Sequence, residues 1–254
     1  MTIADLFTQY LEHLFNGKRC EARELIFAAQ DRGVSASKLI KLVIWPAMEQ
    51  IEKLYRANHI SRITEHMATR INRMLADQLH ALMARQPKTG QRMVLVCGDG
   101  EIDELGAQMT ADLFEAEGWT VWFMGSGVPN DEVLQFVGKT RPDVLCIYGA
   151  KPASVPGIRK LIETVREVGV CHEMQILVTG GVFNRASGLS DEIRADLFAS
   201  NVSEALQVVQ NHPVRVPKPD LPEPGRRRKR RRKNEILVMN PVPGRRSEVA
   251  DATV

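Results

Sequence analysis

The amino-acid sequence predicts an α/β protein with an N-terminal four-helix bundle, then a doubly wound parallel sheet, then a disordered basic C-terminal tail. Hydrophobic residues recur at helical spacing through the first 85 residues, which predicts the bundle. From residue 92 onward short apolar runs alternate with helix-like segments, which predicts the sheet. Seven of the 13 prolines lie after His212, in a segment unable to bury a core. We therefore place the domains at residues 1–85, 91–212 and 213–254.

The predicted bundle has helices over residues 3–16, 20–31, 35–57 and 61–83. Their ends are marked by glycines and by serines suited to capping a helix N-terminus: Gly17, Gly33, Ser35 and Ser61. Pro46 lies inside the third segment, where proline favours a kink or a helix start. Residues 86–90 contain a proline and a glycine and are predicted to form a linker.

The predicted sheet has apolar strands at residues 93–97, 120–124, 144–148, 175–179 and 195–198. Helices are predicted over residues 104–117, 130–139, 155–168 and 203–209. Strict alternation of strand and helix favours parallel strands, because the connecting helices cover both faces of such a sheet. Ligands of these sheets bind beyond the carboxyl ends of the strands. The loops after the first, third and fourth strands are therefore the first places to search for a site.

Composition excludes several classes of protein. The chain has 254 residues, of which 44% are hydrophobic and 26% charged, as in soluble globular proteins. We predict a cytoplasmic protein, since no run approaches the roughly 18 apolar residues of a membrane span and the first residues lack a signal-peptide pattern. The four cysteines lack the paired spacing of a zinc site. No nucleophile paired with a base, P-loop or dinucleotide fingerprint occurs, so we do not expect an autonomous enzyme.

Three short motifs lie at the predicted ligand edge. They are Glu101-Ile102-Asp103-Glu104-Leu105-Gly106, then Tyr148-Gly149-Ala150 at 45 residues beyond Asp103, and the pair Gly180-Gly181. Their spacing resembles the D-x-H-x-x-G, S-x-L and glycine-pair motifs of the cobalamin-binding module of methionine synthase, corrinoid proteins and light-sensing repressors. The resemblance covers residues 1–212 and implies a Rossmann-like, flavodoxin-like domain that binds cobalamin.

The bundle carries a further part of this resemblance. Tyr55 is followed after nine residues by Glu65-His66, which is similar to the W-x9-E-H element of the sensor members. In those relatives the aromatic residue packs over the upper face of the corrin. The resemblance therefore implies that Tyr55 covers a flat ring beside Glu65 and His66, and it makes His66 and His59 the candidate metal ligands.

Two departures from the family pattern change the expected chemistry. Asp103 stands where the family has a cobalt-ligating histidine, so we expect no histidine ligand from below. Tyr148 stands where the family has the serine beside the slot for the displaced nucleotide base, and a tyrosine ring would occupy much of that slot. The carboxylates of Glu101, Asp103 and Glu104 have a simpler explanation as well, since acidic residues suit the start of a helix.

Three interpretations of the site remain open from the sequence. The first is cobalamin bound with its own base retained or with water below the cobalt. The second is another flat tetrapyrrole such as haem, and the third is an interaction module without a cofactor. We expect a sensor or regulatory protein that signals to a protein partner through ligand occupancy. The alternatives are a corrinoid methyl carrier serving a separate methyltransferase and a cofactor-free adaptor with a nucleic-acid-binding tail.

The tail contains eight consecutive basic residues. They are Arg226, Arg227, Arg228, Lys229, Arg230, Arg231, Arg232 and Lys233. Such a run can neutralise phosphates and bind nucleic acid with little sequence preference. It can also bind an anionic membrane surface or an acidic protein patch, or simply keep the tail solvated. We favour nucleic acid as its partner.

Overall fold

The structure is a computed structural model, and it describes residues 2–98 and 104–216. The bundle consists of α1 (Ile3–Phe15), α2 (Arg19–Asp31), α3 (Ala36–Leu39), α4 (Trp45–Arg56) and α5 (Arg62–His80). Among the predicted site residues, Glu101, Ile102 and Asp103 lie outside the described residues, as does the basic run of the tail.

Local hydrogen bonds explain where the bundle helices begin and what joins them. A capping box starts α1, where the Thr2 side chain and the Asp5 side chain each accept a backbone N–H of the other residue. Ser61 caps α5 by accepting the N–H of Thr64. In the bundle core, Tyr10 Oη donates to Asn72 Oδ1 at 2.8 Å, and Asn72 Nδ2 donates to a main-chain carbonyl at 3.0 Å. This buried network links α1 to α5.

The third predicted helix of the bundle forms in three consecutive pieces. Between α3 and α4 the chain makes a π-helical turn, Ile40–Ile44, in which the Trp45 N–H donates to the carbonyl of Ile40 five residues earlier. Pro46 follows in the first turn of α4. Within a helix, proline lacks the N–H for a hydrogen bond, and its ring clashes with the carbonyl four residues earlier. The wider π-helical turn accommodates Pro46, so that α3, the turn and α4 follow one another without an interruption.

The α/β part has the predicted alternation of strands and helices. Its strands are β1 (Arg92–Cys97), β2 (Thr120–Gly125), β3 (Val144–Tyr148), β4 (Gln175–Thr179) and β5 (Leu197–Ala199). All pair in parallel, in the order β2-β1-β3-β4-β5. Its helices are α6 (Leu105–Ala116), α7 (Asn130–Thr140), α8 (Val155–Val168), α9 (Gly181–Arg185), α10 (Leu189–Glu192) and α11 (Val202–Asn211), with a 3-10 turn at Pro152–Ser154. The predicted fold class is therefore confirmed.

Helices cover both faces of the sheet. Along β1, Met93 and Leu95 point into the same apolar core as the bundle, α6 and α11, whereas Val94 and Val96 point into a second core with α7 and α8. This alternation is the period of two that a strand buried on both sides produces. The first core is continuous with the bundle, and α4 and α5 both contact α6.

The last third of the α/β part differs from the prediction in detail. The fifth strand occupies Leu197–Ala199 instead of residues 195–198, and two short helices that the sequence did not predict, α9 and α10, precede it. The α9 helix begins directly at the glycine pair, so its position bears on the site. No helix among the described residues combines the length and apolar character that crossing a membrane requires.

Candidate functional site

Two neighbouring cavities lie between the bundle helix α4 and the carboxyl ends of β3 and β4. One has a volume of about 560 Å³ and reaches Gly180 and Gly181, and the other has a volume of about 490 Å³ and reaches α5. Both walls include the same five residues, namely Met48, Glu52, Arg56, Tyr148 and Arg185. The cavities are of the size of small-molecule sites and lie where ligands of parallel sheets bind.

The bundle side of the site contains the residues predicted from the Tyr55 element. Tyr55 is 38% exposed at the end of α4 and, with Glu65 and His66 near the start of α5, lines the 490 Å³ cavity. The Glu65 carboxylate lies 3.5 Å from Nε2 of His66. His59 is exposed in the loop between α4 and α5 and is absent from both cavity walls as described. The structure thus brings three of these four residues together.

The sheet side contains Tyr148, the last residue of β3, which is only 5% exposed. A Cβ atom added to Gly106 in α6 would lie 2.2 Å from the hydroxyl oxygen of Tyr148 and 2.5 Å from its Cζ. Because Gly106 has no side chain, the phenol ring of Tyr148 can occupy this space. In this arrangement no space remains at Gly106 for a nucleotide base.

The glycines after β3 and β4 pack against one another. A Cβ on Gly180, whose φ is +107°, would lie 2.4 Å from the carbonyl oxygen of Gly149. The Gly149 N–H donates to Thr179 at 2.9 Å, and the Val182 N–H donates to Gly149 at 3.1 Å. Gly180 and Gly181 line the 560 Å³ cavity and Ala150 lines the 490 Å³ cavity. Gly149 thus contacts the residues after β4 but is not among the residues described as lining either cavity.

An ion pair that the sequence did not predict crosses the site. Arg185 Nη1 of α9 lies 2.7 Å from Glu52 Oε1 of α4, and Arg185 Nη2 donates to the carbonyl of Ala150. A Cβ on Gly181 would lie 2.5 Å from Nη1. Gly181 therefore lets the guanidinium lie close to the chain. The only sequence signal for this pair is that Arg185 follows the glycine pair within one short helix.

Glu104 is the described residue that precedes α6 in the predicted Glu101–Gly106 motif, and it is not among the residues described as lining the two cavities. Its carboxylate accepts the Ser126 N–H and packs on Gly125, where a Cβ would lie 2.9 Å from Oε1. Glu104 occupies the N-cap position of α6, but its side chain does not cap that helix. It fixes the end of β2 to the start of α6.

The residues of the site suit the flat ring of a tetrapyrrole but not a nucleotide base inserted into the sheet side. Beside the open cavities lie the aromatic ring of Tyr55 and the imidazole of His66, which suit the face of a flat ring and a transition metal respectively. Burial raises the pKa of Glu49 in the wall, although Trp45 Nε1 donates to that carboxylate at 3.0 Å. The cavities therefore fit a flat ring, whereas the space against Gly106 does not fit an inserted base.

Comparison with known proteins supports the family resemblance. Residues 6–80 match the model of the B12 binding domain. Dimethylamine corrinoid protein 2 of Methanosarcina acetivorans is 26% identical over 199 residues, which cover 72% of this chain and 89% of that protein. Monomethylamine corrinoid protein 1 of the same organism is 22% identical over 194 residues, covering 74% of this chain and 88% of that protein.

A solved structure has the same fold. The monomethylamine corrinoid protein of Methanosarcina barkeri aligns with a TM-score of 0.74 at 19% identity, covering 81% of this chain and 97% of that chain. At this identity the likeness establishes the arrangement of bundle and sheet. Together with the matched domain, it confirms the resemblance predicted from the loop motifs and the Tyr55 element.

Proposed function

We propose that the chain binds a corrinoid and carries methyl groups for a separate methyltransferase, because residues 6–80 match the model of the B12 binding domain and several relatives are corrinoid proteins. The observation that carries the proposal is the pair of cavities between the Tyr55 and His66 side and the Gly180-Gly181 side. The sequence placed a sensor first and a methyl carrier second. The methylamine corrinoid proteins among the relatives favour the opposite order.

In this proposal the chain's own residues hold the ring and shield it. A bound corrinoid supplies a cobalt centre that accepts and donates a methyl group. The aromatic face of Tyr55 covers the ring from the bundle side and limits access of water. His66, with Glu65 beside it, supplies an imidazole on the same side. Gly180 and Gly181 line the cavity on the sheet side, where the absence of side chains lets Gly149 and Arg185 pack closely against them.

The sheet side gives the proposal a specific form. Tyr148 fills the space against Gly106, and the sequence has Asp103 where the family has a histidine. We therefore propose that these residues would hold the ring without an imidazole from the sheet side, and that a nucleotide base would not enter the space against Gly106. A corrinoid held in this way would supply its cobalt chemistry without a histidine of this chain at position 103.

One observation favours the sensor as a second candidate. Tyr55, Glu65 and His66 line one cavity together, and their spacing resembles the sensor members of the family. In that case occupancy of the cavities would shift α4 and α5 against the sheet and alter contacts with a protein partner. Binding of nucleic acid by the basic run and a cytoplasmic location remain predictions, as does haem as an alternative ligand.

The test of the proposed function is spectroscopic. Purified protein is incubated with hydroxocobalamin, methylcobalamin or haemin, desalted, and scanned in the dark and after illumination. We expect corrin absorbance at near-equal stoichiometry, and methylation of the reduced, protein-bound corrinoid by methyl iodide. A protein that is colourless after every incubation, or that retains only haemin, would contradict corrinoid binding.

The same samples separate the two candidate functions. A carrier should keep its oligomeric state, measured by light scattering, whether the ligand is absent, bound or illuminated. A ligand-dependent or light-dependent change in mass would favour the sensor over the carrier.

A further inference from the structure

The ion pair between Glu52 and Arg185 lies where a ring-sized ligand has to pass. Both residues belong to the wall of each cavity, and their contact joins α4 to α9. A flat ring that extends from Gly181 to Tyr55 would occupy both cavities, and it would therefore meet this pair. The pair must open or rearrange for such a ligand to bind.

The two edges of the Arg185 guanidinium have different partners. Nη2 donates to the main-chain carbonyl of Ala150, which belongs to the sheet side, while Nη1 contacts the Glu52 carboxylate on the bundle side. The guanidinium is planar and presents donors in a fixed fork, so the bond to Ala150 fixes its direction. Glu52 is a side chain that can turn away, since it is 40% exposed. Arg185, at 31% exposed, would then present Nη1 to the cavity.

The charge of the cavity walls favours a negative group in place of Glu52. Among the described residues, the walls contain five cationic side chains: Lys53, Arg56, Arg62, Lys151 and Arg185. They contain three carboxylates: Glu49, Glu52 and Glu65. Burial raises the pKa of Glu49, which disfavours its charged form. A cleft with an excess of one charge attracts ligands of the opposite sign.

We propose that Arg185 is a specificity-determining residue that exchanges Glu52 for an anionic group, a phosphate or a carboxylate, on a side arm of the bound ring. This inference rests on the proposed function, because it concerns the same cavities. Hydrogen bonds between two charged groups are shorter and stronger than those between neutral groups. Here the released Glu52 offsets part of that gain, and its negative charge is taken up by Arg56, whose Nη1 lies 3.8 Å from Glu52 Oε1.

The test compares three corrinoids that share one ring and differ in their arms. Cobalamin carries a phosphodiester, cobyric acid ends in a carboxylate, and cobinamide lacks both groups. Affinities are measured by absorbance titration of the full chain in the dark, for the wild type, Arg185→Gln, Glu52→Gln and the control Arg159→Gln. Arg159 also pairs with a glutamate, Glu163, at 2.9 Å, but it is exposed and lies in neither cavity wall as described.

We expect Arg185→Gln to weaken cobalamin binding about tenfold and to leave cobinamide binding within about twofold. We expect Glu52→Gln to tighten cobalamin binding, because Arg185 then has no competing carboxylate. Arg159→Gln should change neither affinity. Equal loss for cobyric acid and cobalamin would identify a site for either anion, whereas loss for cobalamin alone would identify a phosphate site.

Several outcomes would overturn the inference. If Arg185→Gln changes the three affinities equally or not at all, Arg185 does not recognise an anionic arm, while corrinoid binding itself stands. If the wild type binds none of the three, the proposed function fails and the inference with it. If Arg185→Gln does not fold, Glu52→Gln decides, since unchanged or weaker cobalamin binding by that variant contradicts the exchange.

Discussion

Two tyrosines on opposite sides of the cavities have opposite environments. On the bundle side, Tyr55 is 38% exposed and borders open space, next to Glu65 and His66. On the sheet side, Tyr148 is 5% exposed and its ring lies directly over Gly106. The bundle side is thus available to contact a ligand, whereas the side chain at the end of β3 is part of the packing of the fold.

Position in the fold explains the difference. β3 lies between β1 and β4, so its last side chain is enclosed by the ends of neighbouring strands and by α6. Tyr55 lies one residue from the end of α4, where the chain leaves the bundle. The same residue type therefore stabilises the fold in one place and forms an open wall in the other.

The largest expected effect is that of Tyr148→Ala. Truncating a buried aromatic side chain typically costs about 3–5 kcal/mol, because it removes contacts and leaves a cavity. We expect a loss of this size in the free energy of unfolding measured by urea denaturation. Tyr148→Phe keeps the ring and should cost about 1 kcal/mol. A loss below about 1 kcal/mol for Tyr148→Ala would show that the ring does not fill the space at Gly106.

The next effect tests the close packing of the sheet side. In Gly180→Ala the new Cβ would meet the carbonyl oxygen of Gly149 at 2.4 Å, and φ is +107°. Overpacking and a left-handed backbone together should cost about 2–4 kcal/mol in the same urea experiment.

The matched control for Gly180 is Gly33→Ala. Gly33 has a φ of +93° and no atom within 4 Å of an added Cβ, so only the backbone strain should appear, at about 1 kcal/mol. Equal losses in the two variants would contradict a steric role for Gly180.

A smaller effect on stability, which depends on pH, is expected where α5 of the bundle contacts α6 of the α/β part. His80 Nδ1 of α5 lies 2.8 Å from Asp112 Oδ1 of α6. Burial raises the pKa of Asp112 to about 6, although the nearby His80 opposes the shift. Between about pH 4 and pH 6 the folded state therefore binds more protons at Asp112 than the unfolded state, so its contribution to stability decreases as the pH rises.

Asp112→Asn removes this titration. We expect the stability of the wild type relative to Asp112→Asn, measured by urea denaturation, to fall by an amount on the order of 1 kcal/mol from pH 4 to pH 6.5. A difference that stays constant over this range would contradict a raised pKa.

Short sequence spacings predicted several of the residues that line the two cavities. Tyr55, Glu65 and His66 belong to two consecutive helices, and Gly180-Gly181 directly follows one strand. A local sequence pattern was therefore enough to predict each of these two groups. The Glu52 and Arg185 pair joins residues 133 positions apart and belongs to no motif. Such a contact depends on how α4 packs against the α/β part of the chain, which no local pattern specifies.

The same distinction holds for the fold. Strand positions followed from apolar runs that are buried on both faces, and they were predicted closely for β1, β3 and β4. The π-helical turn before Pro46 and the short helix α9 were not predicted. The turn accompanies a single proline, and α9 begins at a glycine whose missing side chain leaves space for Arg185. Hydrophobic periodicity indicates neither feature.

The smallest expected effect on stability is that of Tyr55→Ala, the counterpart of Tyr148→Ala. Tyr55 is partly exposed at the end of a helix, so its truncation should change the free energy of unfolding by less than about 1 kcal/mol. Cobalamin binding should nevertheless weaken, because the variant loses the aromatic face over the ring, whereas Tyr55→Phe retains that face and should bind as the wild type does. Urea denaturation and absorbance titration of the same samples separate the two effects. If Tyr55→Ala instead destabilised the fold as much as Tyr148→Ala and left binding unchanged, the bundle side would be a packing surface like the sheet side, and the functional contrast between the two tyrosines would be wrong.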